Sequence, residues 1–302
     1  MTQQIHLDTA AVWGTDTGHG VIEIAPDVAY RRLSLVNVGF FGFPGAGDRG
    51  WVMIDTGLPG CAEDIMAAAA HRFGLLARPL AIIQTHGHFD HVGALEELAA
   101  HWDVPVYAHP LEHPYLDGSA AYPPPDPSVG GGLMSLVSPL YPRGPVDVGA
   151  RLQALPADGS VPHMPGWRWI HTPGHSVGHV SLWREADRML LAADAVITTA
   201  QESAYAVLTA RTELHGPPMY FTQDWLAARR SVEALAALEP ELLLSGHGQA
   251  VRGAVVRQGL HQLARRFEEI AHPPHPHYEL HPARAEDGTA YASPITSENG
   301  ET

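Results

Sequence analysis

Thr85-His86-Gly87-His88-Phe89-Asp90-His91 places four metal-ligating side chains within six positions. His86 and His88 are two apart, so on extended backbone both imidazoles project to one side and can grip one cation. Asp90 and His91 follow where the chain begins to turn; they aim elsewhere and suit a second cation nearby. A tight zinc site takes three or four protein groups, so further ligands must come from distant segments. Candidates are His175 and His179 in the turn-rich run 171–179, Asp194 at the end of the apolar run 189–194, and His247 between two glycines after Leu242-Leu243-Leu244-Ser245. Two metals roughly 3.5–4 Å apart can share a hydroxide that is nucleophilic at neutral pH, while polarising the substrate oxygen and steadying the leaving group. The chemistry is hydrolysis by a metal-bound hydroxide, with no need for a serine or cysteine nucleophile. The single cysteine, Cys61, reads as a packing residue at a helix start.

The chain holds 20 histidines, so one histidine by itself means little. His71, His101, His109, His163 and His215 read as surface or hydrogen-bonded residues. His272, His275, His277 and His281 lie in a proline-rich tail and read as solvated chain open to adventitious metal. The selected candidates differ because each follows an apolar, strand-like run. Residues 79–84 predict a buried strand before His86, and the spacing of Val92, Leu95, Leu98, Ala99 and Trp102 predicts a helix over 92–102. Strands are expected at 21–24, 33–38 and 51–54, with helices over 61–73 and 224–238. Several strand ends side by side would make one polar rim on a buried sheet.

These residues resemble the metallo-β-lactamase superfamily, whose His-x-His-x-Asp-His signature is followed by His, Asp and His. The match runs from Asp55-Thr56-Gly57 to Gly246-His247-Gly248, about two-thirds of the chain. Composition by itself supports a mixed α/β chain; the resemblance implies a four-layer αββα sandwich. It also implies that His86, His88 and His175 hold one metal, that Asp90, His91 and His247 hold another, and that Asp194 bridges them. Asp55 resembles the family's strand-end aspartate, an outer partner that orients a ligating imidazole, and His179 is an outer or pocket group. Asp90, besides ligating, is a candidate for moving the proton in catalysis. The implied cofactors are two divalent ions, zinc first, with iron or manganese as alternatives.

The bridging aspartate is similar to that of the glyoxalase II and N-acyl homoserine lactone lactonase branches, which cleave thioesters and lactones. The lactonases place a tyrosine soon after this aspartate, where this chain reads Ala195-Val196-Ile197-Thr198-Thr199, with Tyr205 a distant substitute. Glyoxalase II carries basic residues for glutathione; Arg252, Arg257, Arg265 and Arg266 are the counterparts here and read equally well as exposed helix faces. The expected activity is hydrolysis of a small ester, thioester or lactone. An iron-dependent persulfide dioxygenase is the alternative, and β-lactam hydrolysis is at most a minor activity. Residues 1–8 lack a secretory pattern, and the 110–165 segment has no counterpart in compact β-lactamases.

The 302 residues suit one domain, 1–302, with a lid-like insertion at 110–165 and an extended tail at 272–302. Leu133, Met134, Leu136, Val137 and Tyr141 are candidates to wall an apolar pocket, as is the stretch 205–221; the insertion reads equally as a packing surface or a homodimer interface. One cysteine suits a reducing cytoplasm, and no apolar run reaches transmembrane length. Eighteen basic against 33 acidic residues give a net charge of −15. That balance points to a small-molecule substrate and away from nucleic acid and membranes.

Overall fold

The computed structural model describes residues 5–130, 132–199 and 212–294. Its strands, in chain order, are β1 (Ile5–His6), β2 (Thr15–Asp16), β3 (Val21–Ala25), β4 (Val28–Leu33), β5 (Val36–Phe41), β6 (Val52–Ile54), β7 (Ile82–Ile83), β8 (Val106–Ala108) and β9 (Leu152–Ala154). There follow β10 (Trp167–His171), β11 (Val180–Arg184), β12 (Met189–Ala193), β13 (Glu213–Leu214), β14 (Leu242–Ser245) and β15 (Val251–Arg252). β2 to β9 form one sheet in sequential order, antiparallel as far as β6 and parallel from β6 to β9. A second sheet has the order β10-β11-β12-β14-β15, with β12 and β14 parallel. β1 pairs with β13.

Side chains alternate across each strand, and here both faces of the strands are apolar. Val52 and Ile54 of β6 face the second sheet while Met53 faces a helical layer, and Ile83 and Ile82 of β7 divide the same way. In β12, Met189 and Leu191 point between the sheets and Leu190 and Ala192 point outward; in β14, Leu242 and Leu244 flank an outward Leu243. Strands buried on both faces must be covered on both. The helices Ala62–Phe73 and Leu95–Trp102 cover the first sheet through Ile65, Phe73, Leu95 and Trp102. Trp225–Ala237 and Ala254–Arg265 cover the second through Val232, Leu235, Leu260 and Leu263. Three apolar layers separate four structural ones, giving the expected αββα sandwich. Each such large side chain contributes about 1.5–3 kcal/mol on burial.

Parallel strands bring their carboxyl ends to one edge, and this puts the loops after β6 and β7, and those after β12 and β14, within reach of one another.

Three local expectations are corrected. The strand at 33–38 is a hairpin, with Leu33 paired to Val36 and Ser34 at a φ of 56° in the turn. Ser34 and Asn37, both turn-favouring types, lie in this run, but the aliphatic residues around them read as one strand. The helix over 92–102 is two pieces, Phe89–Val92 and Leu95–Trp102, separated where the Gly93 amide donates to the Gly57 carbonyl. The strand at 79–84 shortens to Ile82–Ile83.

Within 110–165, Leu152–Ala154 becomes an edge strand and Leu155, Val161 and Met164 pack between the sheets. The tail crosses the remainder: the Tyr278 hydroxyl donates to the Pro124 carbonyl, that of Tyr115 donates to Ala290, and Ala121 pairs with Ala292. Leu133 and Leu136 are exposed rather than walling a pocket, whereas Met134 and Tyr141 are partly buried against the core. Tyr205 lies outside the described residues. Among those described, no helix is long and apolar enough to cross a membrane.

Candidate metal centre

Four strand ends and one hairpin loop supply the site. β6 runs into Asp55, β7 into His86, β12 into Asp194 and β14 into His247, while the loop joining β10 to β11 carries His175 and His179. The β12–β14 register shifts between Leu191 and Ala193, and Ala193 adopts a φ of 46°. Asp55 has a φ of 56°. Left-handed backbone at a non-glycine is unusual and gathers where surrounding structure enforces it; here it occurs at the two turns that aim carboxylates into the site.

The seven residues singled out in the sequence converge. Ligand atoms of His86, His88 and His175 lie within 4.8 Å of one another, as do those of Asp90, His91 and His247. Those of His86, His91 and Asp194 are equally close and join the two groups. Asp194 sits between them: its Oδ2 is 3.4 Å from His175 Nε2 and 3.1 Å from His247 Nε2, and its Oδ1 is 3.4 Å from His91 Nε2. All seven side chains are buried.

The outer edges of several rings are committed. His91 Nδ1 is 2.9 Å from Asp55 Oδ2, and His247 Nδ1 is 2.7 Å from the Leu35 carbonyl. With those nitrogens committed outward, each Nε2 is the atom left facing the cluster. Asp55 also accepts from the Thr85 amide and hydroxyl, both at 2.8 Å, which ties the end of β6 to the ligand loop. His179 stands outside the cluster: its Nδ1 meets Thr172 Oγ1 at 2.8 Å and its Nε2 accepts from the Asp194 amide at 3.0 Å. It holds the backbone of Asp194 in place.

Burial, reinforced by neighbouring imidazoles, pushes His86, His175 and His179 well below the ordinary histidine range and His88 down to about 3. That direction favours the neutral ring, the form in which His86, His88 and His175 would ligate. Burial opposes charge on His91 too, yet Asp194, Asp55 and Asp90 carry it well above that range; Asp194 and Asp90 also raise His247. Burial raises Asp90, and it disfavours charge on Asp194, but there His247 and His91 win and hold the carboxylate well below its usual value.

His86 Nε2, His91 Nε2 and Asp194 Oδ1 are buried at the junction of the two groups without a hydrogen-bond partner, and the inward nitrogens His88 Nδ1 and His175 Nε2 face each other 2.9 Å apart. Leaving a buried polar atom unpaired costs about 1–3 kcal/mol, and in folded proteins such groups are rare and concentrated at functional sites. Such a cluster, with imidazole nitrogens and a carboxylate as donor set, fits a divalent cation of the zinc or iron type.

Spacing in the sequence did not announce several residues that shape the site. Gln84 Nε2 and Thr56 Oγ1 both donate to the His91 carbonyl. Asn37 Nδ2 donates to the Ser245 and Gly248 carbonyls. Phe221 stacks on the His88 ring at 4.7 Å between centroids, and Tyr122 lies 4.1 Å away across it. Glu112, fully buried, accepts from both histidine-bearing loops.

Comparison with known proteins agrees with this geometry. The family model described as the Metallo-beta-lactamase superfamily matches residues 31–247. The chain is 48% identical over 248 residues to "Probable metallo-hydrolase YflN" of Bacillus subtilis, covering 82% of this chain and 94% of the relative. It is 30% identical over 200 residues to "Probable metallo-hydrolase YybB" of the same organism, covering 66% and 76%. A β-lactamase domain protein from Burkholderia ambifaria superposes with a TM-score of 0.57 at 21% identity, covering 87% of this chain and 76% of that one. A B3 metallo-β-lactamase with an active-site glutamic acid gives 0.54 at 19%, covering 89% and 96%; at that identity the likeness concerns the fold. Since the matched span takes in every ligand candidate from His86 to His247, the chain belongs to the metallo-beta-lactamase superfamily.

Proposed function

We propose that this metallo-hydrolase cleaves small, partly apolar esters, thioesters or lactones at a two-metal centre. His86, His88 and His175 would hold one ion, Asp90, His91 and His247 the other, and Asp194 both. The observation that carries the reading is the buried cluster of imidazoles and carboxylates, three of whose inward atoms have no hydrogen-bond partner, on residues that converge from four distant segments. When bound, a divalent pair supplies Lewis acidity toward the acyl oxygen and a water acidic enough to attack at neutral pH.

The chain's own residues fix the rest. Asp55, Leu35 and Thr85 hold rings in one orientation, so little reorganisation accompanies reaction. Asp90, whose carboxylate is 3.4 Å from His247 Nε2, is the group placed to receive the proton of the attacking water and return it to the departing alkoxide or thiolate. Beside it stands an aromatic wall: Phe89 and Tyr141 have ring centroids 5.3 Å apart, and Phe221 lies 6.2 Å and 6.1 Å from them. Met134 joins through its sulfur, 3.5 Å from the Tyr141 hydroxyl. An apolar cluster this near the centre supports an acyl group with apolar substance, and so the ester, thioester and lactone classes over small ionic substrates.

Protein purified without added metal should contain close to two equivalents of metal by elemental analysis. It should turn over at least one member of a panel of lactones, thioesters and aryl esters, losing that activity on chelation. One equivalent of iron with oxygen consumption on glutathione persulfide would replace hydrolysis by oxygenation, and turnover confined to β-lactams would overturn the substrate class.

A further inference from the structure

Glu112 lies outside the seven ligand candidates, in the short turn Pro110–Glu112 that follows β8, and its carboxyl group is wholly enclosed. Burying a carboxylate is costly unless its lone pairs are filled. Here they are filled by the two loops that carry His86, His88 and His175. Oε2 accepts from the Gly87 amide at 2.9 Å and from the Tyr122 hydroxyl in a short hydrogen bond. Oε1 accepts from the Ser176 hydroxyl and the Gly178 amide, each at 2.8 Å. Gly87 lies between His86 and His88, and Ser176 follows His175 directly. Tyr122, held by the same oxygen, packs its ring on His88.

The fit leaves no slack. A Cβ on Gly178 would come within 2.8 Å of the Glu112 side chain, and one on Gly87 within 3.1 Å of the Tyr122 hydroxyl. The two loops come from different sheets, and hydrogen bonds to an ion are about twice as strong as neutral ones. The carboxylate is therefore the group that sets their separation.

We propose that Glu112 is a positioning residue: its carboxylate clamps the His86-Gly87-His88 turn to the His175–Gly178 turn and so presets the spacing of three imidazoles for one of the two metals. The proposal rests on the two-metal reading above, and its test reads metal binding rather than turnover.

Metal-free protein is titrated with zinc against a chromophoric chelator, and melted in parallel without metal. Wild type is expected to show two binding steps, and His88→Ala identifies the step that belongs to the His86, His88 and His175 group. In Glu112→Gln an amide donor replaces one accepting oxygen, so one loop loses its anchor. That step should weaken about 10–100-fold, the range for supporting partners of metal ligands, while the other step holds. Tyr122→Phe and Ser176→Ala each remove one donor and keep the carboxylate; both should weaken the same step by smaller factors, and they decide the matter if Glu112→Gln does not fold. Unchanged constants in these variants would overturn the proposal. So would equal weakening of both steps with a lowered melting temperature, the mark of a general brace. Absence of zinc uptake by wild type would remove the two-metal reading itself and is recognised before any variant is compared.

Discussion

At the scale of single residues, the site is organised by what each imidazole does with its second nitrogen. His91 and His247 spend theirs on Asp55 and the Leu35 carbonyl, whereas the His88 ring meets His175 Nε2 at 2.9 Å through Nδ1 and otherwise packs on Tyr122 and Phe221. Its position depends on packing and on the ion it would bind. His88→Ala should therefore lower metal content and hydrolysis together while the circular dichroism spectrum stays native, because the layers between and outside the sheets do not include this side chain. Retained wild-type activity with full metal would contradict a ligating role. The convergent cluster was readable in the sequence because metal chemistry favours such types and spacing: two imidazoles two apart, then acid and imidazole past a turn. Glu112 was not readable. Its partners are backbone amides and hydroxyls from 10 to 66 positions away, and no local pattern marks a residue whose function is to be surrounded.

At the scale of elements, the hairpin of β4 and β5 reaches across from the first sheet to brace the loop after β14 in the second. The Asn37 amide donates to the Gly246 carbonyl at 2.7 Å, and its side-chain Nδ2 donates to Ser245 and Gly248 at 2.9 and 2.7 Å. His247, inside that loop, is pinned by Leu35 of the same hairpin. Asn37→Ala leaves two buried carbonyls without that donor, a loss of about 1–3 kcal/mol for each group stranded. The expected results are a lower urea midpoint and weaker zinc binding in the step that His88→Ala spares. An unchanged zinc constant would mean that β14 positions His247 without help. This hairpin also explains why the fold was only partly legible. The strands and helices that bury one regular face announced themselves by period, as at 61–73 and 224–238. The β4–β5 turn falls among aliphatic residues that read as one strand, and Gly93, a weak helix former, becomes a break because its amide is drawn to the Gly57 turn.

At the scale of the whole molecule, charge acts before any contact is made. With 18 basic and 33 acidic residues and a net charge of −15, the protein surrounds its centre with a negative field. Its reach is about 10 Å at 0.1 M salt and grows as salt is removed. Two divalent ions would add four positive charges against a net charge of −15, so they would not reverse that field at a distance. An anionic thioester therefore approaches against repulsion, while an uncharged lactone of similar size feels none. For the anionic substrate kcat/KM should rise as ionic strength increases from low values, with the change in KM rather than kcat; for the neutral lactone it should stay flat. Steady-state kinetics on such a matched pair in sodium chloride checks this directly. A fall with added salt for the anionic member would reveal a local basic collar strong enough to outweigh the rest of the surface, and would move the preferred substrate from neutral to acidic acyl compounds.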